Sequence, residues 1–443
     1  MSIRVGMVNL GCSKNQIDGE IMMAKLKNNG FEICDDAALA DVAIVNTCGF
    51  IESAKTEAID EILELAKLKE EGQIKKIVVT GCLAERYTDE IAEELSEVDG
   101  IVGIGANADI CEIIKKVFEG EKVSSKKEKD LLPLEGERIL STPSYFAYLK
   151  IAEGCNNCCS YCAIPYIRGS FRSRTMESII EEANLLVNDG AKELILIAQD
   201  TSKYGIDLYG EYKLPALLKE LCKIENLRWI RILYCYPECI TDELIDVMAN
   251  EEKIVKYIDI PLQHASGKVL KAMNREGDRA YLTNLIAKLR EKIEGIVLRT
   301  TVMVGFPGET EEDFEELMEF IRDIRFDRLG AFAYSREEGT PAYDFENQVD
   351  EEIKQRRLEM VYEQQMFIMQ ENGEAMVGKE VEVLTEGFDR YAECFFGRTS
   401  ADSPDIDGKV FFTAPSTKPY YGQMVKVKIE DCMDLDLVGE MID

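Results

Sequence analysis

The sequence predicts an α/β protein in three parts: an N-terminal doubly wound parallel α/β domain, a central partial (β/α)6 barrel, and a C-terminal small OB-like β-barrel. Three observations predict it. Strand and helix patterns alternate over roughly the first 118 residues, and the alternation resumes from about Phe146 with units of ~30–40 residues. The last ~65 residues show only short alternating strands with turns between them.

In order, the N-terminal strands are expected at 4–10 ("RVGMVNL"), 42–48 ("VAIVNTC"), 76–82 ("KIVVTGC") and 100–105 ("GIVGIG"). Helical stretches lie between them, such as Glu52–Leu68 with apolar residues three and four apart, so residues 1–118 form one domain. Residues 119–144 are charged, carry Pro and Ser and show no period, which reads as a linker. The central domain, 145–373, has strands at "YFAYLKIAEG", "ELILIAQD", "WIRILYCYP", "KYIDIPLQ", "VLRTTVMVGFPG" and "DRLGAFAYS", and a long helix over Glu351–Gln370 closes it. Six such units form an open barrel whose chemistry belongs at the C-terminal strand ends. Residues 374–443 hold "EVEVLTEGF", "ECFFGRTS", "KVFFTAP" and "MVKVKIEDC", the strands of the small barrel.

Composition narrows the function classes. A net charge of −32 repels a polyanion at long range and favours a basic protein partner, unless it only reflects a generally acidic proteome. Fourteen cysteines stand beside one histidine, His264, so Ser-His catalysis and the usual zinc hydrolase sites are nearly excluded, and metal ligation by thiols is suggested. The start, "MSIRVGMVNLGC", has no signal-peptide core, and no stretch approaches ~18 apolar residues, so a cytoplasmic, membrane-free protein is expected.

The stretch "EGCNNCCSYCAIP" (153–165) puts four cysteines into eight positions. Cys158 and Cys159 are adjacent and diverge, so four thiolates from this loop rarely reach one tetrahedral zinc ion. The other partition, Cys155-x3-Cys159-x2-Cys162, suits three corners of a cubane [4Fe–4S] cluster and leaves the fourth iron open. Cys158 is then left over, as a tolerated substitution or an accessory ligand. A second trio, Cys12, Cys48 and Cys82, ends three predicted parallel strands; in a doubly wound sheet those ends gather along one edge. The competing expectation is three buried packing thiols. Packing is also expected for Cys34, Cys111, Cys222, Cys235, Cys239, Cys394 and Cys432.

The CxxxCxxC spacing, with Tyr161 before the last cysteine, resembles the radical S-adenosylmethionine (SAM) superfamily. That resemblance implies SAM bound on the open iron and cleaved by one electron to a 5′-deoxyadenosyl radical. It also implies a cofactor pocket holding Tyr161, Gln199, Asp200, His264 and Gly305, with His264 alternatively making a helix-start hydrogen bond at Ser266. Arg168, Arg172 and Arg174, in "IPYIRGSFRSR", are candidates for an anionic group of SAM or substrate, or for pairing with the abundant carboxylates.

With "LGCSKN", "NTC" and "GC" ahead of that core and a small barrel behind it, nearly the whole chain resembles the methylthiotransferases, which convert an unactivated C–H bond to C–S–CH3. The resemblance implies two [4Fe–4S] clusters, SAM as both radical source and methyl donor, a TRAM-type C-terminal barrel, and an electron donor such as flavodoxin or ferredoxin. Its branches modify either adenosines near the tRNA anticodon or an aspartate β-carbon of a small-subunit ribosomal protein, the twelfth. From Glu374 to Asp443 seven Lys and Arg stand against fifteen Asp and Glu, and "RTSADSPDIDGKVFF" is acidic where a phosphate reader would be basic. The ribosomal-protein branch is therefore expected, with tRNA as the alternative substrate and RNA contact not favoured by charge. A plain iron–sulfur electron carrier would not need the SAM-pocket stretches, and a dinucleotide oxidoreductase would need GxGxxG where this chain has "LGCSKNQ".

Overall fold

A computed structural model describes residues 2–414 and 417–442. The N-terminal sheet contains β1 (Arg4–Asn9), β2 (Glu32–Cys34), β3 (Val42–Thr47), β4 (Lys76–Gly81), β5 (Gly100–Val102) and β6 (Val123–Ser125), all parallel, in the order β2-β1-β3-β4-β5-β6. Every residue of β3 is buried, as expected of a parallel strand covered on both faces. Strand order reverses between β1 and β3, and this switch point is where doubly wound sheets open a ligand crevice. Sequence patterning missed β2 and β6, because three-residue edge strands are too short to display a period. Residues 123–125, inside the expected linker, form β6 on the sheet edge. Further along that stretch, Arg138 bonds Glu20 at 2.7 Å and Glu182 at 2.6 Å, strapping the segment across both domains.

Helix α1 (Ser13–Asn28) follows β1, α2 (Glu52–Glu70) follows β3, and α3 (Cys82–Arg86) follows β4. α1 departs from the usual one-sided pattern: Lys14, Asn15, Asp18 and Glu20 are buried together with Ile17 and Met22. It is covered by the sheet on one side and by the central domain on the other, so its polar residues need partners there.

The central sheet comprises β7 (Phe146–Lys150), β10 (Glu193–Ile197), β11 (Trp229–Ile232), β12 (Ile254–Gln263), β13 (Val297–Val304) and β14 (Arg328–Ala333), all parallel and in sequence order across the sheet. A two-strand ribbon, β8 (Ala152–Glu153) with β9 (Arg172–Ser173), brackets the cysteine loop. Alternate residues take opposite faces. Leu194, Leu196, Ile230 and Ile232 enter the helix-covered core, whereas Ile195, Ile197, Trp229 and Tyr257 line the other face with Ile17 of α1 and Leu384.

The C-terminal unit is a closed barrel of β15 (Glu380–Asp389), β16 (Cys394–Arg398), β17 (Val410–Thr413), β18 (Met424–Met433) and β19 (Asp436–Ile442), ordered β15-β16-β17-β19-β18. Five strands in a small closed barrel match the OB-like expectation, with β19 as the strand the sequence did not reveal.

Its acidic stretch is largely spent inside the molecule. Arg398 bonds Glu193 at 2.8 Å and Glu386 at 2.7 Å, and Arg231 takes the second oxygen of Glu193 at 2.7 Å. Asp402 accepts from Arg328 at 2.6 Å, and Asp407 from the Tyr257 hydroxyl at 2.7 Å. These partners lie towards the N-terminal ends of the central strands, so residues 398–407 plug that end of the partial barrel. Truncating Arg398 to Ala leaves Glu193 with one of its two cations and should lower stability by about 3 kcal/mol, read as a lower urea midpoint; an unchanged midpoint would show that the plug contributes nothing.

Candidate metal centre

Cys12, Cys48 and Cys82 follow β1, β3 and β4, three adjacent strands of one parallel sheet. The register pairs Asn9 with Asn46 and Thr47 with Gly81, which brings the three strand ends level. Glycine makes the crowding feasible: Gly11 has φ +98°, and a Cβ there would stand 2.9 Å from that of Cys48. The three thiols sense one another, since Cys12 and Cys48 both raise the Cys82 thiol. Burial is the larger cause and carries Cys82 up to about 12; it also pushes Cys48 up. Cys12 differs. It is exposed yet ringed by protein, and Lys14 and Arg168 outweigh the burial and hold its thiol below the ordinary value.

Cys155, Cys159 and Cys162 lie in the loop between β8 and the helix Ile164–Arg168, past the C-terminal end of β7. Burial raises Cys155 to about 11, and burial with the neighbouring Cys159 raises Cys162 as well. Cys158 is exposed, with φ +50°, and its carbonyl accepts from Asn274 at 3.0 Å. It points away from the partition that joins the other three.

Among the described residues no three Cys, His or carboxylate side chains converge closely enough to hold a single metal ion. Thiolates on separate irons of a cubane do not share one centre. The donor chemistry fits such clusters: each trio is thiol-only, and most of its members are neutral thiols whose protons iron would displace.

The segments that carry the two trios touch at one seam. Cys82 packs against Ala163 and Ile167, in the turn that directly follows Cys162. Arg168, at the end of that turn, is 1% exposed and bonds Asp18 of α1 and Glu153 at 2.9 Å each. Lys150 bonds the same two carboxylates at 2.5 and 3.1 Å. Burial would raise Glu153, but Arg168 and Lys150 bring it down to about 2. Arg86, at the end of α3, ties the same region from the far side, bonding the Gly49 carbonyl at 3.0 Å and Glu337 at 2.9 Å.

The remaining expected site residues divide. Tyr161 is half-buried beside Cys159, and burial followed by that neighbour drives its hydroxyl well above its usual value. Gln199 donates to Glu153 at 2.9 Å and leaves its Oε1 unpartnered. Asp200 is fully buried and accepts from Asn157 at 2.9 Å and Ser202 at 2.6 Å, which ties it to the cysteine loop. His264 is fully buried and burial lowers it to about 3, so it is neutral; its Nδ1 accepts the Ser266 N–H at 3.0 Å, and its Nε2 has no hydrogen-bond partner among the described residues. Gly305 has φ +71°, and a Cβ there would meet Lys354 Cγ at 2.3 Å; its close approach is to the closing helix Glu351–Glu374. The arginines are all engaged internally: Arg168 as above, Arg172 on the Asp130 carbonyl at 2.5 Å, and Arg174 on Glu182 at 2.5 Å and the Lys150 carbonyl at 2.9 Å. Arg172 nevertheless leaves its Nε without a hydrogen-bond partner among the described residues.

Two residues not singled out complete the cofactor side. Arg275 is buried, stacks 4.2 Å from the Tyr236 ring centre, donates to the Pro261 carbonyl at 3.0 Å, and leaves Nε and Nη1 unpartnered. Gln263, at φ +72°, leaves Oε1 unpartnered. Orphan donors and orphan acceptors at the C-terminal strand ends complement the carboxylate and ammonium of an amino-acid moiety such as that of SAM. In the sequence, "KAMNR" gave no signal beyond its charge.

The model of the Radical SAM superfamily matches residues 149–321, that of the TRAM domain 377–442, and that of Uncharacterized protein family UPF0004 residues 4–103. With a thiol trio on each side of the domain seam, fold and site define a radical SAM methylthiotransferase. Curated relatives narrow the class. The ribosomal protein uS12 methylthiotransferase RimO of Acetivibrio thermocellus is 49% identical, covering 100% of this chain and 99% of that protein. Those of Desulforamulus reducens and Clostridioides difficile are 50% and 47% identical, each covering 99% of both chains. The chain belongs to this RimO family. Among solved structures, the radical SAM methyltransferase TsrM of Kitasatospora setae (TM-score 0.58, 16% identity, 77% of each chain) and the cobalamin-dependent radical enzyme OxsB (TM-score 0.53, 14% identity, 82% of this chain and 56% of that one) share the fold. Among the described residues no helix is long and apolar enough to cross a membrane.

Replacing Cys12, Cys48 and Cys82 with Ala should lower the iron bound after anaerobic reconstitution from about eight per chain to about four. Cys158→Ala should keep about eight, and a loss of iron there would overturn the partition.

Proposed function

We propose that this protein inserts sulfur and a methyl group at the β-carbon of an aspartate in ribosomal protein uS12, in the cytoplasm, with a flavodoxin- or ferredoxin-class electron donor. The observation that carries this reading is the contact of Cys82 with the turn after Cys162 at a buried seam, rooted in Arg168 and its carboxylates. When bound, two [4Fe–4S] clusters and SAM supply the one-electron chemistry, the sulfur and the methyl group.

The chain's own residues do the rest. Cys155, Cys159 and Cys162 anchor one cluster, and Cys12, Cys48 and Cys82 the other. Arg275 receives the methionyl carboxylate of SAM, and the free oxygens of Gln199 and Gln263 receive its ammonium. Asp200 and Asn157 hold the cysteine loop against the barrel. The N-terminal domain lies over the barrel mouth and limits water there, as a reactive radical requires. Such a radical reacts with what is nearest, so holding the target carbon between the trios decides the product.

The curated relatives are named for uS12, and the charge of the C-terminal barrel does not favour a tRNA. Mass spectrometry of ribosomal proteins and tRNA from a strain lacking the gene tests the reading: uS12 should lose an increment of about 46 Da, H replaced by SCH3. Loss of the increment from tRNA instead would reverse the assignment.

A further inference from the structure

Lys14 stands two residues after Cys12, in the first turn of α1, and is 6% exposed. Its Nζ lies 3.2 Å from the centre of the Tyr234 ring, and among the described residues no carboxylate or carbonyl receives it. Asp18, one turn on, is taken by Lys150 and Arg168. The other two buried lysines among the described residues are both satisfied: Lys150 by Asp18 and Glu153, Lys354 by Glu351 and the Tyr334 carbonyl. Among these three buried lysines, Lys14 alone has no carboxylate or carbonyl partner; its charge bears on the Cys12 thiol beside it.

The platform beneath it is built. Tyr234 follows β11 with φ +63°, a conformation a bulky residue rarely adopts. Its N–H donates to Asp259 at 3.0 Å and its carbonyl accepts from Thr201 at 2.9 Å, which holds the ring at the barrel mouth. An aromatic face offsets only part of the cost of desolvating an ammonium. An ammonium held over that face can still take an anion brought by a ligand. Arg275, over Tyr236, and the free glutamine oxygens already complement the amino-acid end of SAM, whereas Lys14, over Tyr234, stands two residues from Cys12, beside the thiol trio of the N-terminal sheet. In an aspartate side chain the carboxylate is one bond from the β-carbon.

We propose that Lys14 binds the carboxylate of the substrate aspartate over the Tyr234 ring and so turns its β-carbon towards the trio of Cys12, Cys48 and Cys82. This rests on the uS12 reading above and assigns the residue that recognises the target side chain.

The test uses the reconstituted full chain and two fluorescent uS12 peptides, one with the target aspartate and one with Asn in its place, read by anisotropy. The unaltered protein should prefer the Asp peptide by about 10- to 100-fold, the range of a hydrogen bond to a charged group. Lys14→Met should bind both peptides equally, while its iron content stays that of the unaltered protein; Lys14→Arg should keep most of the preference. An Asp preference that survives Lys14→Met overturns the proposal. So does a Lys14→Met protein that loses about half its iron, because the ammonium then serves the metal centre. If the unaltered protein binds neither peptide and uS12 is unmodified in cells, the substrate reading itself fails and takes this assignment with it.

Discussion

Four buried charges, Asp18, Lys150, Glu153 and Arg168, hold the N-terminal domain to the barrel mouth, and the geometry of the site depends on them. Two are cations and two anions, none more than 3% exposed. Burying such a set costs a large desolvation penalty that is offset only when every member is in place. That makes the contact directional in a way an apolar seam is not. Each member sits at the root of a functional segment: Asp18 on the helix after Cys12, Lys150 at the end of β7, Glu153 two residues before Cys155, and Arg168 closing the turn after Cys162. Docking the domains and placing the two thiol trios are thus one event.

A second charged network works at the opposite end. Glu193, Arg231, Arg398, Asp402, Arg328, Asp407 and Tyr257 join the C-terminal barrel to the N-terminal strand ends. This revises the meaning of an acidic stretch. "RTSADSPDIDG" suggests a surface for a basic partner, but Asp402 is buried against Arg328, and the Asp407 side chain lies against Arg299, Arg328 and the Tyr257 hydroxyl. The net charge of the C-terminal unit remains negative, yet part of that charge is structural and steers nothing.

Much of the site was legible because it obeys local rules. Parallel strands end on one edge, so cysteines that follow consecutive strands gather there, and Cys12, Cys48 and Cys82 do. The loop trio was legible from spacing alone, as adjacent Cys158 and Cys159 cannot both point one way. Legibility failed where a side chain had two outlets. Asp200, His264 and Gly305 sit at strand ends, and each also meets a residue of its own chain, Asn157, Ser266 or Lys354, that no spacing rule displays. Arg168, Arg172 and Arg174 read equally as an anion site or as partners of the chain's own carboxylates, and each has internal partners. The placement of Lys14 over the Tyr234 ring was not legible, since no linear pattern displays what a side chain meets across 220 positions of chain.

By itself the sequence determined the three-part α/β architecture and the strand-end placement of both thiol trios, because periodicity, turn composition and short spacing act over a few residues. Only the tertiary structure decided which charges are structural and which are left for a ligand. Lys150 and Arg168 reach Asp18 across 132 and 150 positions of chain. Electrostatic pairing depends on distance and burial in space, and neither is written in the order of the residues.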